Sequence, residues 1–212
     1  MPTYTHLTPA DARRVPWKNG RGVTEEIAVG PAGTSFEAGD FGWRVSRAAV
    51  TEAGPFSSFP GVDRILVVTD GEGLVLTHGA GAAPVTVHRL APHAFRGDDP
   101  TAATLVGGAV RDFNVLTRRG RYHADVQVIR PAPTSCTVVL PSCTVLVHAV
   151  DARASVTFRG RGSRTPTEWT LAAGDSLQVS EAAAPSDLTL SGDAGSAVIL
   201  VTMTEDERGT RL

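Results

Sequence analysis

Short apolar runs rich in Val, Leu, Ile and Thr alternate along this chain with breaks that carry glycine and proline. The 22 glycines and 14 prolines interrupt the chain with breaks about every ten residues, a rhythm that accommodates strands and turns but not sustained helices. Strands are predicted at residues 65–69, 74–77, 85–88 and 104–106, with Asp70-Gly71-Glu72-Gly73 as the tight turn of a hairpin. After Arg119-Gly120 the rhythm restarts, with strands predicted at 136–140, 144–150, 154–158, 176–179, 187–190 and 197–203. Helical spacing is confined to residues 8–14, enough for one turn with Thr8 as cap and Pro9 at the first helical position. Leu171-Ala172-Ala173-Gly174-Asp175 and Leu90-Ala91-Pro92-His93 occupy comparable places about 80 residues apart, which hints at two similar halves. The pattern predicts an all-β chain divided into residues 1–120 and 121–212.

At 212 residues the chain is long enough to bury a real core. A net charge of -2 excludes the electrostatic footprint of a nucleic-acid binder. No run of about 18 apolar residues is present, so no membrane span is expected. The first residues show neither a basic region nor an apolar one of the signal type, and the expected location is the cytoplasm. Cys136 and Cys143, with six residues between them, match no zinc or redox spacing and read as small buried hydrophobes. The six histidines are scattered without a His-x-His pair, so neither a metal site nor a cofactor is expected.

Residue scarcity changes the picture. Of 20 basic residues 19 are arginine; the single lysine is Lys18. Only two asparagines occur, Asn19 beside it and Asn114. Where composition disfavours lysine, one that persists points to a need for a compact, strongly hydrated charge rather than a planar fork. Four segments surround these residues or share their character. In Trp17-Lys18-Asn19-Gly20-Arg21-Gly22, leading into 23–27, strand alternation puts Thr24 and Glu26 on one face. In 41–47, Arg44 and Ser46 share a face opposite Trp43 and Val45. Residues 54–64 form an aromatic and proline loop ending in Asp63 and Arg64. In 112–118, Asp112, Asn114 and Arg118 lie opposite Phe113 and Val115. If the charged faces point inward they make a polar pocket, whose buried charges must be paired or liganded. The competing arrangement is a set of solvated outer faces with surface ion pairs.

These segments, in this order, resemble the HutD/Ves family. The matching strings are Pro16-Trp17-Lys18-Asn19-Gly20 with Thr24, Glu26 and Ile27; Trp43-Arg44-x-Ser46; Gly54-Pro55-Phe56-Ser57-x-Phe59-Pro60-Gly61-x-Asp63-Arg64; and Asp112-Phe113-Asn114 with Arg118-Arg119. Arg21 departs from the glycine usual in the family, and Leu116 from its common methionine. The resemblance implies a bicupin, two packed cupin-like jelly-roll barrels in one chain, dimeric and without the cupin metal ligands. It also implies a link to histidine utilisation, as a protein that binds a pathway intermediate and restrains flux.

The site expected from these residues comprises Trp17, Lys18, Asn19, Thr24, Glu26, Trp43, Arg44, Ser46, Arg64, Asp112, Asn114 and Arg118. Arginine offers a bidentate fork for a carboxylate and lysine a point charge. Trp17, Trp43, Phe56 and Phe59 can wall a planar ring. Asn114 can both donate and accept. Such a set suits a small carboxylate bearing an amide or imidazole; urocanate and formylglutamate are choices the resemblance supplies. A metal-free isomerase or hydrolase, with Lys18 as base and Glu26 or Asp112 as acid or base, remains a second reading. A purely structural role is the third.

Overall fold

The structure is a computed structural model that describes residues 2–17, 22–131, 135–160, 165–182 and 186–206. Every regular element among them is a strand, and no helix is long and apolar enough to cross a membrane. In chain order the strands are β1 (Thr3–Leu7), β2 (Arg13–Pro16), β3 (Val23–Gly30), β4 (Trp43–Val50), β5 (Gly54–Pro55), β6 (Val62–Asp70), β7 (Gly73–His78), β8 (Val85–His88), β9 (His93–Arg96), β10 (Thr101–Val106) and β11 (Val110–Arg118). They continue as β12 (Tyr122–Ile129), β13 (Cys136–Leu140), β14 (Cys143–Ala149), β15 (Ala154–Gly160), β16 (Thr167–Leu171), β17 (Ser176–Ala182), β18 (Ser186–Gly192) and β19 (Val198–Glu205).

Two compact units result, each built on a pair of sheets, and the fold is the cupin jelly roll. Residues 12–123 carry a six-stranded sheet in the order β2-β3-β4-β11-β6-β9 and a four-stranded one in the order β5-β10-β7-β8. The core between them takes Val50, Leu66 and Val68 from the first sheet and Leu74, Leu76, Val87 and Ala103 from the second. The other unit groups residues 1–11 with 124–205. Its sheets run β1-β17-β14-β19-β12 and β13-β18-β15-β16, and its hydrophobic core includes Phe158, Leu171, Leu188 and Leu190. The first strand thus leaves the N-terminal half: Tyr4 pairs with Val179, and its ring packs on Phe158 and Trp169.

The expected hairpin at residues 65–77 is corrected. Both strands form, but β6 pairs with β9 and β11 while β7 pairs with β8 and β10. The turn carries the chain from one sheet to the other instead of folding it back. Gly71 and Gly73 have φ of 87° and 152°, values a side chain rarely adopts, and a Cβ at either would lie 2.6 Å from a backbone oxygen. Both cysteines are free thiols, with Cys143 buried and Cys136 half-buried. Burial pushes the Cys143 thiol up to about 11, so it stays an inert thiol at neutral pH.

Candidate functional site

The six-stranded sheet of the unit formed by residues 12–123 aligns its inward-facing side chains in rows, because directly paired residues of antiparallel strands share a face. One row runs Glu26–Ser46–Asn114–Leu66, and the next runs Arg44–Leu116–Arg64–Phe95. A bulge at Ile27 between the pairs of Glu26 and Ala28 lets both ends of β3 keep register with β4. A third row, Thr24–Ala48–Asp112–Val68, leads toward the apolar core. The interior of this barrel is therefore divided: apolar toward Val50 and Leu66, polar around Arg44, Arg64 and Asp112.

A cavity of about 920 Å³ opens over the polar rows. Trp17, Thr24, Arg44, Ser46, Arg64, Asp112 and Asn114 line it, as do Phe56 and Phe59 of the proline loop. Glu26 stands behind Arg44 and accepts a 2.7 Å hydrogen bond from its Nε, with both side chains buried. Arg13, half-exposed, reaches Glu26 at 4.0 Å and pairs with Glu37 on the cavity rim. Arg64 donates through Nε and Nη2 to Asn114 Oδ1 at 2.9 and 2.6 Å and lies 3.9 Å from Asp112 Oδ2. Asp112 Oδ1 accepts from the Ala48 backbone N–H at 3.2 Å. Trp17 is fixed twice over. Its indole N–H donates to Thr24 Oγ1 at 2.9 Å, and its ring lies against Gly22, where a Cβ would come within 2.9 Å.

Both arginines are desolvated, and each is faced by an aromatic ring, Phe36 at 3.9 Å from Arg44 and Phe56 at 4.6 Å from Arg64. Burial draws the Arg44 guanidinium below its ordinary value, against the pull of Glu26. Burial lowers Arg64 to about 10, and the positive charge of Arg44 adds to this; it remains a cation at neutral pH. Burial raises the Asp112 carboxyl, opposed by Arg64, Asn114 and the Ala48 amide. Among the described residues the polar floor is internally satisfied with one exception. Arg44 Nη2 is buried and has no hydrogen-bond partner there.

Several expected site residues lie elsewhere. Trp43 faces away from Arg44, with its indole where a Cβ on Gly30 would fall, and serves packing. Arg118 shares the alternation of Asn114 but sits at the end of β11, where it donates to the Gly39 carbonyl at 2.7 Å and stacks over Phe41. Asp63 points outward to Arg119 at 2.6 Å. Lys18 and Asn19 lie outside the described residues. Phe36 and Glu37 line the cavity unforeseen, because they come from the irregular segment 31–42, where strand alternation gives no direction. Leu116 stands between the two arginines in its row, a place that its departure from methionine does not disclose. Among the described residues no three His, Cys, Asp or Glu side chains cluster to hold a metal ion.

The model of the HutD family matches residues 9–200. The chain belongs to the HutD family. A protein from Pseudomonas putida, described as an uncharacterised 21.2 kDa protein in the hutC 3′ region, is 36% identical over 156 residues, 73% of this chain and 78% of that one. The Ves protein of Citrobacter koseri is 41% identical over 122 residues, 56% of this chain and 61% of its own length. The solved structure of HutD from Pseudomonas fluorescens SBW25 is 35% identical and superposes with a TM-score of 0.79, covering 96% of this chain and 99% of that one. A single-substitution variant of oxalate decarboxylase from Bacillus subtilis superposes with a TM-score of 0.61 at 6% identity, covering 95% of this chain and 77% of that one, and shares the fold alone.

Proposed function

We propose that this HutD-family protein binds a small carboxylate intermediate of histidine catabolism, of the urocanate or formylglutamate type, and thereby modulates flux through the pathway. The observation that carries the reading is a cavity lined by two buried arginines, Arg44 and Arg64, and walled by Phe36, Phe56, Phe59 and Trp17. A carboxylate is the natural partner for guanidinium groups in such a wall, and a charge-assisted bond formed away from water contributes more than a neutral one. Aromatic faces around it favour a planar remainder on the ligand. The family link and the neighbourhood named for the P. putida relative support the choice of pathway.

Isothermal titration of purified protein with histidine-pathway intermediates tests this, with Arg44→Lys as the comparison. Lysine keeps the charge but loses the fork. We expect the wild type to bind one of these carboxylates and R44K to lose about tenfold to a hundredfold in affinity, the range for one hydrogen bond to a charged group. Wild-type protein that binds none of them, or turns one over at enzyme-like rates, overturns the reading.

A further inference from the structure

We infer that His78 and His93 form a shared-proton brace between the two sheets of the unit formed by residues 12–123, closed when neutral and opened by acid. His78 ends β7 in the four-stranded sheet and His93 begins β9 in the six-stranded sheet, strands that do not pair with each other. Their Nε2 atoms nevertheless stand 3.0 Å apart, with the ring centres 5.2 Å apart and the ring planes inclined by 19°, so the imidazoles meet edge to edge. Two nitrogens at that distance need one proton between them, and only one.

The neighbours decide which ring supplies it. Thr101 Oγ1 lies 3.0 Å from the Asp99 backbone carbonyl, which only accepts, so the hydroxyl proton goes there. The same oxygen lies 3.0 Å from His78 Nδ1, so His78 must donate from Nδ1. Its Nε2 is then the acceptor, and His93 donates from Nε2. A first added proton goes to His93 Nδ1 and leaves the bridge intact. A second must land on His78 Nε2, against the His93 N–H, which breaks the bond and sets two cations edge to edge.

The surroundings oppose that charging. Burial lowers both imidazoles, and for His93 the charge of His78 adds to it; Asp99 alone pulls His78 the other way. From β6, Arg64 presents a fixed cation over the Phe95 ring, 5.3 Å from its centre. Phe95 also packs on His78 at 4.7 Å and on His93 at 5.8 Å, so one ring touches both the brace and a cavity arginine.

The sign follows from linkage. Both folded pKa values lie below the unfolded 6.5, so around and below that pH the unfolded chain binds more protons. The contribution is complete above about pH 6.5 and is lost as pH falls below it. Urea midpoints between pH 5 and 7.5, for wild type and His93→Gln, test the brace. The glutamine amide still donates to His78 Nε2 but does not titrate, and the remaining histidines are common to both proteins. We expect the wild-type midpoint to fall more steeply below pH 6.5 than that of H93Q; parallel curves overturn the inference. Nitrogen-15 NMR of the wild-type imidazoles gives a reading independent of any variant. The Nδ1–H form at His78 and the Nε2–H form at His93, with midpoints below 6.5, are expected. Titration of the pair at or above 6.5 overturns it.

Discussion

At the residue scale the site is governed by buried charges that are balanced but not exhausted. Glu26 neutralises Arg44 while taking only Nε, and Asn114 and Asp112 occupy Arg64. Glu26 also repels any anion that approaches Arg44 from the cavity. Glu26→Gln should therefore act in two directions. It leaves a buried guanidinium without its counter-charge, a loss that approaches the roughly 3–5 kcal/mol seen when one partner of a buried pair is removed. It should at the same time strengthen carboxylate binding several-fold, because the repelling charge is gone. Urea denaturation and titration calorimetry on the same variant check both halves; an unchanged midpoint would mean that water already reaches the pair. Much of this cluster was legible beforehand, because alternation with a period of two is rigid. Placing Arg44 and Ser46 opposite Trp43 required nothing more. What alternation cannot tell is where a face stops being site: Arg118 shares the strand face of Asn114 but lies beyond the cavity, against the 39–41 segment.

At the scale of elements the strands were visible and their partners were not. Residues 62–70 and 73–78 look like the arms of a hairpin because a glycine turn joins them, yet the same glycines let the chain cross to another sheet. The His78–His93 contact was hidden for a related reason: it joins side chains from sheets whose association leaves no period in the sequence. Gly30 shows the reverse case, a small residue whose reason lies in an adjacent strand. It pairs with Trp43, and a Cβ there would sit 2.2 Å from the indole ring. Trp43 is buried and its ring rigid, so Gly30→Ala must displace it or bend β3 where that strand ends. The expected cost is about 1–3 kcal/mol, the range for overpacking a filled core. The denaturation midpoint of G30A measures it, and a stability equal to wild type would show that the indole has room to swing.

At the scale of the molecule, two units of the same architecture have divergent interiors. One is built around a hydrophobic core; the other gives up one end to arginines, carboxyls and a cavity. The division in sequence near residue 120 captures the restart of the strand rhythm but misses β1, since nothing in a five-residue strand states which distant edge it will join. That edge is β17, where residues 3–7 pair with residues 176–180 and His6 Nε2 meets Asp175 Oδ2 at 3.0 Å. Removing residues 1–11 should therefore damage the unit that is remote in sequence. It strips β17 of its partner and removes Tyr4 from Phe158 and Trp169, two aromatic contacts of about 0.5–1.5 kcal/mol each beyond their buried area. Hydrogen exchange followed residue by residue resolves the two units. The truncated chain is expected to lose protection in β17 and around Trp169, while β4, β6 and β11 keep theirs and ligand titration over the Arg44 cavity is unchanged. Loss of protection confined to residues 12–123 would mean that the first strand supports the neighbouring unit instead.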